Sequence, residues 1–526
     1  MEILGSLIYF HIPRHKYHHN LRKSIMNAEA IQKDTLSLMN TICDIGAATA
    51  VLNWDQETYM PHGGSATRAE QISTLSTLMH QMMTGDNAKR LVDAIQQDDN
   101  AKQHSLMRLF VDEFQKAVKL PEDLVKRVSK AQALGQDIWK EARSQKDFSK
   151  FASILDELLT LKREEAECRG YVENRYDALL DIYEPGATVS HLNPVFDKLR
   201  DATSVILKAI EPVKHTVHDK PMQQYFPGDA QMAFSRFIAD KMGFDFSRGR
   251  MDLTAHPFCT SFTQHDVRLT TRINEHDLSS CLYGVIHETG HGLYEQGFPS
   301  EYARTFAAEG ASIGMHESQS LLWETIITRS EEFWEFALPH FAKQFPEQAK
   351  GLSPRDMYHA VNTIQPSLIR VEADEITYNM HIVLRFEIER DLINSVLATK
   401  DIPEAWNAKM KEYLGIIPPN DAMGCLQDVH WSFGGFGYFP SYTLGKLYAA
   451  MEWKKIQEDI PHVMHDIANG EFSGILSWLR KHIHAYGKTA KPGDIIHNVT
   501  GKPLSEQEFV NYAYAKVASV YGVKPG

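Results

Sequence analysis

The sequence predicts a mainly α-helical fold with one small β-sheet. Apolar residues recur at three- and four-residue spacing from about residue 29 to 250, and again through the final third, which is the period of amphipathic helices. Proline and glycine clusters at residues 60–64 and 183–188 indicate turns between these helices. Only residues 265–273 alternate with the period of two that is typical of a strand.

The predicted strand has one apolar and one polar face. Its polar face is interpreted either as a rigid wall beside a binding groove or as a solvated surface. The two faces are Val267, Leu269, Thr271 and Ile273 against Asp266, Arg268, Thr270 and Arg272.

Length, composition and net charge indicate a large globular protein and exclude some classes of partner. A chain of 526 residues can bury a large core, and length alone suggests about three or four domains. Hydrophobic residues make up 43% and charged residues 23%, as in soluble globular proteins. The formal net charge of −13 argues against a nucleic acid or an anionic membrane as partner, since both require a basic face.

The five cysteines are dispersed and form no C-x-x-C pair. This distribution favours a reducing cytoplasmic compartment over a disulfide framework or a thiolate zinc site. The apolar stretch at residues 3–12 lacks a basic region before it and a cleavage site, and is too short to span a membrane. We expect no other segment of transmembrane length. The basic, His-rich tract at residues 13–24 is either a loose tail or a metal-binding tract.

The pattern of residues 277–297 predicts a helix, and this helix carries the candidate site. His287 and His291 are i,i+4 neighbours on one helical face, so both imidazoles can reach one metal ion. Glu288 points to one side, where it can accept a proton from metal-bound water. The alternative is a chance match in a long chain rich in histidine.

The ends and the interior of this helix carry further signals. The candidate N-caps are Asp277, Ser279 and Ser280, and Gly297 is a candidate residue just beyond the C-cap. Gly290 and Gly292 lie inside the helix, where glycine costs stability, and so they indicate that something packs closely there.

A third ligand is predicted on the next helix, in residues 309–324. Glu317 shares a face with Ile313 and Leu321, and a carboxylate on an apolar stripe must be paired or neutralised. Two histidines and one glutamate form the ligand set of a catalytic zinc. His316 is the competing candidate, but it projects about 100° away from Glu317.

Six short motifs, in this order, make the chain resemble the carboxypeptidase Taq family of zinc-dependent metallocarboxypeptidases. The resemblance extends from about residue 30 to the end, whereas residues 1 to about 28 depart from the family pattern. The motifs are His256-Pro257-Phe258, Asp266-x-Arg268-x-Thr270, His287-Glu288-x-x-His291, His316-Glu317-Ser318-Gln319, Ile369-Arg370-x-x-Ala373-Asp374 and Gly424-x-x-Gln427-Asp428-x-His430-Trp431.

The resemblance implies a single helical unit with a deep groove, so we expect residues 29–526 to form one catalytic domain. Residues 1–28 are expected to be a disordered extension or the product of an upstream start. The resemblance further implies a cytosolic homodimer that releases single C-terminal residues from peptides with a free C-terminus. Broad specificity, with poor cleavage at proline, is part of the same implication.

The resemblance also implies roles for individual residues. His287, His291 and Glu317 would bind one divalent metal ion per subunit, zinc or alternatively cobalt, and Glu288 would be the general base. Arg370 would bind the substrate carboxylate, since its planar fork suits bidentate recognition.

Arg370 and the aromatic residues near the C-terminal third have alternative interpretations. Arg370 and Asp374 are predicted to share a helical stripe, where they could be a purely structural ion pair. His430, Tyr438 and Tyr442 lie in or beside a glycine-rich stretch and are candidate donors to the oxyanion or the carboxylate, or simply packed aromatics. His256 is a candidate substrate contact or a turn residue.

Two competing functions remain. One is a zinc endo-oligopeptidase or aminopeptidase with the same ligand set. The other is an inactive peptide-binding relative, against which the presence of Glu288 beside the ligands argues.

Overall fold

The computed structural model describes residues 27–525, and the mainly α-helical fold is confirmed there. Predictions for residues 1–26, including the His-rich tract, lie outside the described residues. The predicted turns are also found. A short 3₁₀ turn, His62–Gly64, separates the first two helices, and Gly186 adopts a positive φ of 90° at the second predicted turn.

The helices are numbered in chain order. The first ten are α1 (Ala28–Thr58), α2 (Ser65–Thr84), α3 (Asp86–Gln97), α4 (Asp99–Gln103), α5 (Ser105–Val118), α6 (Glu122–Gln145), α7 (Ser149–Arg169), α8 (Asp177–Tyr183), α9 (Val189–Ile210) and α10 (Gly228–Met242). The others are α11 (Leu278–Glu295), α12 (Ile313–Leu321), α13 (Glu331–Gln344), α14 (Pro354–Ala360), α15 (Tyr378–Ile393), α16 (Ile402–Leu414), α17 (Pro440–Asp459), α18 (Val463–Ala468), α19 (Ser473–His482), α20 (Pro492–Thr500) and α21 (Gln507–Tyr521).

Three short strands form the sheet, and the predicted strand is its centre. The strands are β1 (Gly249–Leu253), β2 (Cys259–Thr263) and β3 (Asp266–Thr271). β3 pairs in parallel with β1 and antiparallel with β2. The sheet packs against α11, which explains why β3 buries its apolar face.

The middle of the polar face of β3 is packed, whereas Asp266 and Arg272 at its ends are exposed to solvent in part or in full. The Arg268 guanidinium lies 4.3 Å from the ring centroid of Trp54 and 4.6 Å from that of Phe262, distances typical of cation–π contacts. Thr270 is fully buried. Its hydroxyl accepts a hydrogen bond from the Phe258 N–H and donates one to the Phe258 carbonyl. The period of two therefore predicts the strand correctly but not the environment of its polar side.

Several hydrophobic clusters hold the described helices together. The largest one involves residues from α6 to α20 and surrounds α11 and α12. A separate cluster joins α1, α3 and α5, with Met39, Leu91 and Phe110 at its centre, and contacts the body of the protein through Phe306. The N-terminal helices thus have their own core beside the main one.

The expectation that no segment beyond the N-terminus has transmembrane length is wrong for α1. By length and composition this 31-residue helix could cross a membrane, with a mean hydropathy of 1.3 in its most apolar window. The core helix of a soluble protein passes the same test. Ile31, Leu38 and Met39 of α1 are buried in the N-terminal cluster, and 28% of the apolar window is buried in all.

α11 begins and ends where the sequence predicts. The Asp277 carboxylate accepts a hydrogen bond from the Ser279 backbone N–H at 3.0 Å, which satisfies a free donor of the first turn. Gly297 follows the C-cap residue Gln296, and a side chain at this position would not fit. A Cβ at this position would lie 2.1 Å from His484 Nδ1.

The two glycines inside α11 allow close packing, as predicted. A Cβ on Gly290 would lie 2.6 Å from the Gln319 carbonyl oxygen and the Ser320 Cα of α12. A Cβ on Gly292 would lie 2.7 Å from the Phe244 ring. The backbones of α11 and α12 therefore touch, and this contact brings their polar side chains together.

We expect Gly290→Ala to destabilise the protein by about 1–3 kcal/mol, since the added methyl overpacks two backbones. The matched control is Gly284→Ala on the same helix, where the Cβ would meet only Thr271 Oγ1 at 3.6 Å. That control should be neutral or stabilise by about 0.5–1 kcal/mol through helix propensity. Thermal unfolding of the two variants measures the difference, and equal midpoints would refute the close-contact interpretation.

Candidate metal centre and active site

His287, His291 and Glu317 form a cluster of potential metal ligands. One atom from each lies within 4.8 Å of the others, and this is the one such group found in residues 27–525. Glu317 Oε2 lies 3.8 Å from His287 Nε2 and 3.5 Å from His291 Nε2. Tetrahedral bonds of about 2.0–2.1 Å would separate such ligand atoms by about 3.3 Å. The cluster therefore fits one ion with little movement.

α12 holds Glu317 in this position. A Cβ on Gly445 of α17 would lie 2.7 Å from the Glu317 Cβ, so α17 supports the carboxylate from behind. Of the two residues predicted to share its face, Leu321 is buried but Ile313 is 37% exposed. The predicted apolar stripe is therefore only half formed, since Ile313 lies at the exposed start of the helix.

Glu324 supports His287 on the side away from Glu317. Its Oε2 lies 2.9 Å from His287 Nδ1, and its Oε1 accepts a hydrogen bond from Arg329 at 2.7 Å. Because a carboxylate accepts, His287 Nδ1 carries the proton and Nε2 keeps its lone pair for a metal. Glu324 lies in a π-helical turn, Leu322–Ile327, that continues α12. Such turns often occur at functional sites.

His316, the competing ligand candidate, supports His291 instead. Its Nδ1 lies 2.6 Å from His291 Nδ1, and its Nε2 lies 2.7 Å from Glu295 Oε1. Ser261 of β2 donates a further hydrogen bond to Glu295 at 2.6 Å. A consistent tautomer has His291 donating to His316 and His316 donating to Glu295, which leaves His291 Nε2 free to bind a metal.

Negative charge is in excess around His287, whereas burial lowers the pKa of His291 to about 4. Burial alone would lower the pKa of His287, but Glu317, Glu324 and Glu288 outweigh it and raise this pKa to about 10. Burial opposes ionisation of Glu317, yet its pKa is lowered, because His287 and His291 favour the carboxylate. A divalent cation would neutralise this excess, so the donor set fits a metal in charge as well as in distance.

We expect Glu324→Ala to weaken metal binding by about 10- to 100-fold, the usual cost of removing an outer-shell partner of a ligand. Metal content after dialysis against a graded chelator measures this effect. Glu331→Ala is a matched control, since Glu331 also pairs with an arginine, Arg355, at 2.6 Å but contacts neither histidine. Equal metal retention in the two variants would contradict the assigned role of Glu324.

Glu288 is buried beside the ligands and has no fixed partner. It is 6% exposed, and no hydrogen bond to its carboxylate is present within residues 27–525. Burial raises its pKa to about 7. A carboxylate with these properties can accept and return a proton near neutral pH.

The prediction that one helix carries both Arg370 and Asp374 is wrong. Arg370 starts a 3₁₀ turn, Arg370–Glu372, and α15 begins only at Tyr378. Asp374 does not pair with Arg370, because its carboxylate accepts bonds from the Ile376 and Thr377 backbone N–H groups and from the Thr377 hydroxyl. Short carboxylates compete with helical hydrogen bonds in this way, which places a turn where the pattern suggested a helix.

The partner of Arg370 is Asp428, far along the chain. Arg370 donates to Asp428 Oδ1 from Nε at 3.0 Å and from Nη2 at 2.9 Å, and to the Tyr378 hydroxyl at 2.6 Å. Arg385 donates to the other oxygen of Asp428 at 2.6 and 2.8 Å. Two guanidiniums thus share one carboxylate, and this buried cluster carries one excess positive charge.

Aromatic rings connect this cluster with His430. The Arg370 Cζ lies 4.8 Å from the Tyr442 ring centroid, and Tyr438 lies between Tyr442 and His430. Burial raises the pKa of Tyr442, and the nearby charge of Glu317 adds to this shift. Tyr442 lies one turn before Gly445 on α17, and Gly445 packs against Glu317, so α17 joins the candidate carboxylate site to the metal ligands.

His430 is buried and neutral. Burial lowers its pKa to about 4. Its Nε2 lies 3.5 Å from the Tyr442 hydroxyl, and its Nδ1 has no partner within the part of the chain that the structure describes. A buried imidazole with a free nitrogen can form a hydrogen bond with a substrate.

His256 is the sequence-predicted residue that the structure does not bring into the cluster. It lies exposed in the segment between β1 and β2. A role in substrate contact stays a prediction.

A cavity of about 1240 Å³ lies beside the centre. Ser261, Glu295 and His316 line it, and so does Tyr183, whose ring lies 5.1 Å from that of Tyr438. The cavity therefore extends from the outer partners of His291 toward the aromatic residues near Arg370. It is large enough to hold several residues of an extended chain.

Sequence reasoning missed Glu324, Arg329, Arg385 and Glu295. For Glu324 and Arg385 a signal was present, since both interrupt apolar runs on helices, and buried charges need partners. For Arg329 and Glu295 we find no such local signal.

Comparison with known proteins agrees with this geometry. The chain matches the pattern of the Carboxypeptidase Taq (M32) metallopeptidase family over residues 34–517. It is 38% identical to Carboxypeptidase 1 of Bacillus subtilis over 499 residues, which is 94% of this chain and 100% of the relative. The structure of the M32 carboxypeptidase from Deinococcus radiodurans is similar, with a TM-score of 0.91 and 35% identity over 94% of this chain and 100% of that one.

Proposed function

The chain belongs to the carboxypeptidase Taq (M32) metallopeptidase family and is a peptide hydrolase that releases C-terminal residues, and we propose that one zinc ion serves this reaction. His287, His291 and Glu317 would hold the ion. Nitrogen and oxygen ligands of this kind suit zinc, and cobalt is the alternative. When bound, zinc would supply Lewis acidity that lowers the pKa of water and polarises the scissile carbonyl.

Glu288 is the general base in this proposal. It takes a proton from the attacking water and returns it to the leaving amine. Its burial, its lack of a fixed partner and its pKa of about 7 support this role. Glu324 and the His316–Glu295 pair act only by orienting the two histidines.

Arg370 recognises the free carboxylate of the substrate. Its bonds to Asp428 and Tyr378 leave one N–H on each terminal nitrogen without a partner among the described residues. Two such N–H groups can bind a carboxylate in bidentate fashion. This buried, excess positive charge beside a His-His-Glu site is the observation that carries the proposal, because an endopeptidase needs no such cation.

His430 and the two tyrosines complete the substrate site. His430, kept neutral by burial, would donate to the developing oxyanion, and Tyr442 would assist Arg370. Tyr438 orders the His430 ring through their contact at 5.1 Å. We also propose broad specificity with poor cleavage at proline, and a substrate contact for His256, on the strength of the family motifs alone.

A peptide ladder tests the proposed function. An unblocked peptide incubated with the enzyme should lose residues one at a time from its C-terminus, and a chelator should stop this loss. The same peptide with a C-terminal amide should stay intact. Internal fragments, or cleavage of the amidated peptide, would favour the endo-oligopeptidase alternative. Loss from the other end would indicate an aminopeptidase. Metal binding without any cleavage would indicate an inactive peptide-binding relative.

We also propose an oligomeric state and a cellular location. A cytoplasmic homodimer is supported by the family resemblance, and all five cysteines are free, as expected in a reducing compartment. Light scattering at two protein concentrations tests the dimer, and a monomer mass at both would exclude it.

A further inference from the structure

Glu389 is a fully buried carboxylate of α15 with no role in the chemistry described above. It accepts three hydrogen bonds, all from neutral donors. Trp431 Nε1 donates to one oxygen at 2.7 Å, while the Tyr176 hydroxyl and the Gly437 backbone N–H donate to the other at 2.5 and 2.9 Å. A buried charge costs free energy, so three well-formed bonds indicate a specific structural task.

Two of these donors lie at the ends of one segment. Trp431 directly follows His430, and Gly437 directly precedes Tyr438. We call residues 430–438 the substrate loop, since they include both of these candidate substrate residues. Glu389 therefore binds the loop just inside each end.

The substrate loop has little regular structure of its own. It contains a 3₁₀ turn, His430–Phe433, followed by Gly434 and Gly437 with positive φ angles of 69° and 92°. Glycines in this conformation have a large freedom to lose on folding. The Gly434 and Gly435 N–H groups bond the Trp431 and His430 carbonyls at 3.1 and 2.8 Å, whereas the two bonds to Glu389 join the loop to a neighbouring helix.

The position of Glu389 links the loop to the candidate carboxylate site. α15 also carries Tyr378, which bonds Arg370, and Arg385, which bonds Asp428. One helix thus holds the arginine cluster at its first half and the substrate loop at its second half. The relative position of the two is set by a rigid element rather than by the loop itself.

We propose that Glu389 is a positioning residue that holds the substrate loop against α15, so that His430 and Tyr438 face a peptide bound by Arg370. This inference rests on the proposed function. It assigns no contact between Glu389 and the substrate, and it separates loop position from the metal centre, which α11 and α12 hold independently.

Glu389→Gln tests this role. The amide can accept the bonds from Tyr176 and Gly437 only by directing its own NH₂ group at the Trp431 N–H, so donor then faces donor. We expect kcat/KM on unblocked peptides to fall by about 10- to 100-fold, with metal content unchanged. The value of kcat should fall because His430 donates to the oxyanion, and KM should rise because Tyr438 contacts Tyr442 beside Arg370.

A second change distinguishes positioning from general damage. In Glu389→Gln combined with Trp431→Phe, the opposing N–H is removed and the other two bonds can form. This double variant should recover part of the lost kcat/KM. Glu387→Gln is the matched control, because Glu387 lies on the same helix but accepts from Tyr413, on α16, at 2.7 Å. Its KM should equal that of the unmodified enzyme.

The outcomes are separable. An unchanged KM in Glu389→Gln, the same change in Glu387→Gln, or no recovery in the double variant would overturn the inference. Loss of metal in Glu389→Gln would also overturn it. If Glu389→Gln does not fold, Trp431→Phe alone removes one bond and should still raise KM, and failure of both to fold would assign Glu389 to the fold as a whole. Failure of the unmodified enzyme to shorten peptides would refute the proposed function instead.

Discussion

Glu288→Gln should abolish turnover while the metal centre stays intact. Glutamine keeps the shape of the side chain but cannot accept a proton from water at neutral pH. Since general acid–base catalysis contributes about 10²–10⁴-fold, we expect kcat to fall by at least this range. Glu288 is absent from the His287, His291 and Glu317 cluster, so metal content should not change.

Single-turnover kinetics and metal analysis on the same preparation measure this prediction. Glu301→Gln, a change at an exposed position, is the matched control and should retain full activity. The assignment of the base fails if Glu288→Gln keeps its metal and still turns over normally. A loss of metal together with activity would instead indicate that Glu288 supports the ligands.

Arg370→Lys should lower kcat/KM on unblocked peptides by about 10- to 150-fold. Lysine keeps the charge but loses the planar fork, so bidentate binding of the carboxylate is lost. Hydrogen bonds to charged groups contribute about 1.5–3 kcal/mol, which corresponds to this range. Asp428 would still be paired with Arg385 at 2.6 Å, so the variant leaves no bare buried carboxylate.

The comparison of two ligands makes the test specific. A peptide with a free C-terminus should bind the Arg370→Lys enzyme less tightly, whereas its amidated counterpart should bind both enzymes equally weakly. Arg390→Lys on α15 is the matched control, since Arg390 bonds Asn193 at 2.8 Å and not Asp428. Equal loss of affinity for both peptides would show that Arg370 acts through the fold and not through the carboxylate.

The metal ligands could be predicted from sequence because their geometry is local. His287 and His291 are one helical turn apart, and α11 begins at the predicted Asp277 cap. Gly290 indicated that another element packs closely against α11, and that element is α12, which carries Glu317. Each of these inferences uses the helix period or a local steric fact, so no knowledge of the distant chain was needed.

The interpretation of Arg370 failed where the pattern was ambiguous. Residues 366–377 share a helical spacing of polar groups, but Asp374 bonds the backbone ahead of α15 and ends any continuous helix. The role of Arg370 in substrate binding, which the family motifs indicate, stays a prediction, whereas the predicted pairing with Asp374 is wrong, because the partner is Asp428. A spacing of four residues is evidence for contact only where the helix exists.

The sequence by itself determined the helical class, the central strand, the two histidines with their third ligand and the family. Only the tertiary structure decided which groups surround them: Glu324 behind His287, the shared Asp428 between Arg370 and Arg385, and Glu389 beneath the substrate loop. The reason is physical. Local patterns follow from backbone geometry, whereas the partner of a buried charge is chosen by how distant segments pack, and one sequence does not specify that packing by spacing alone.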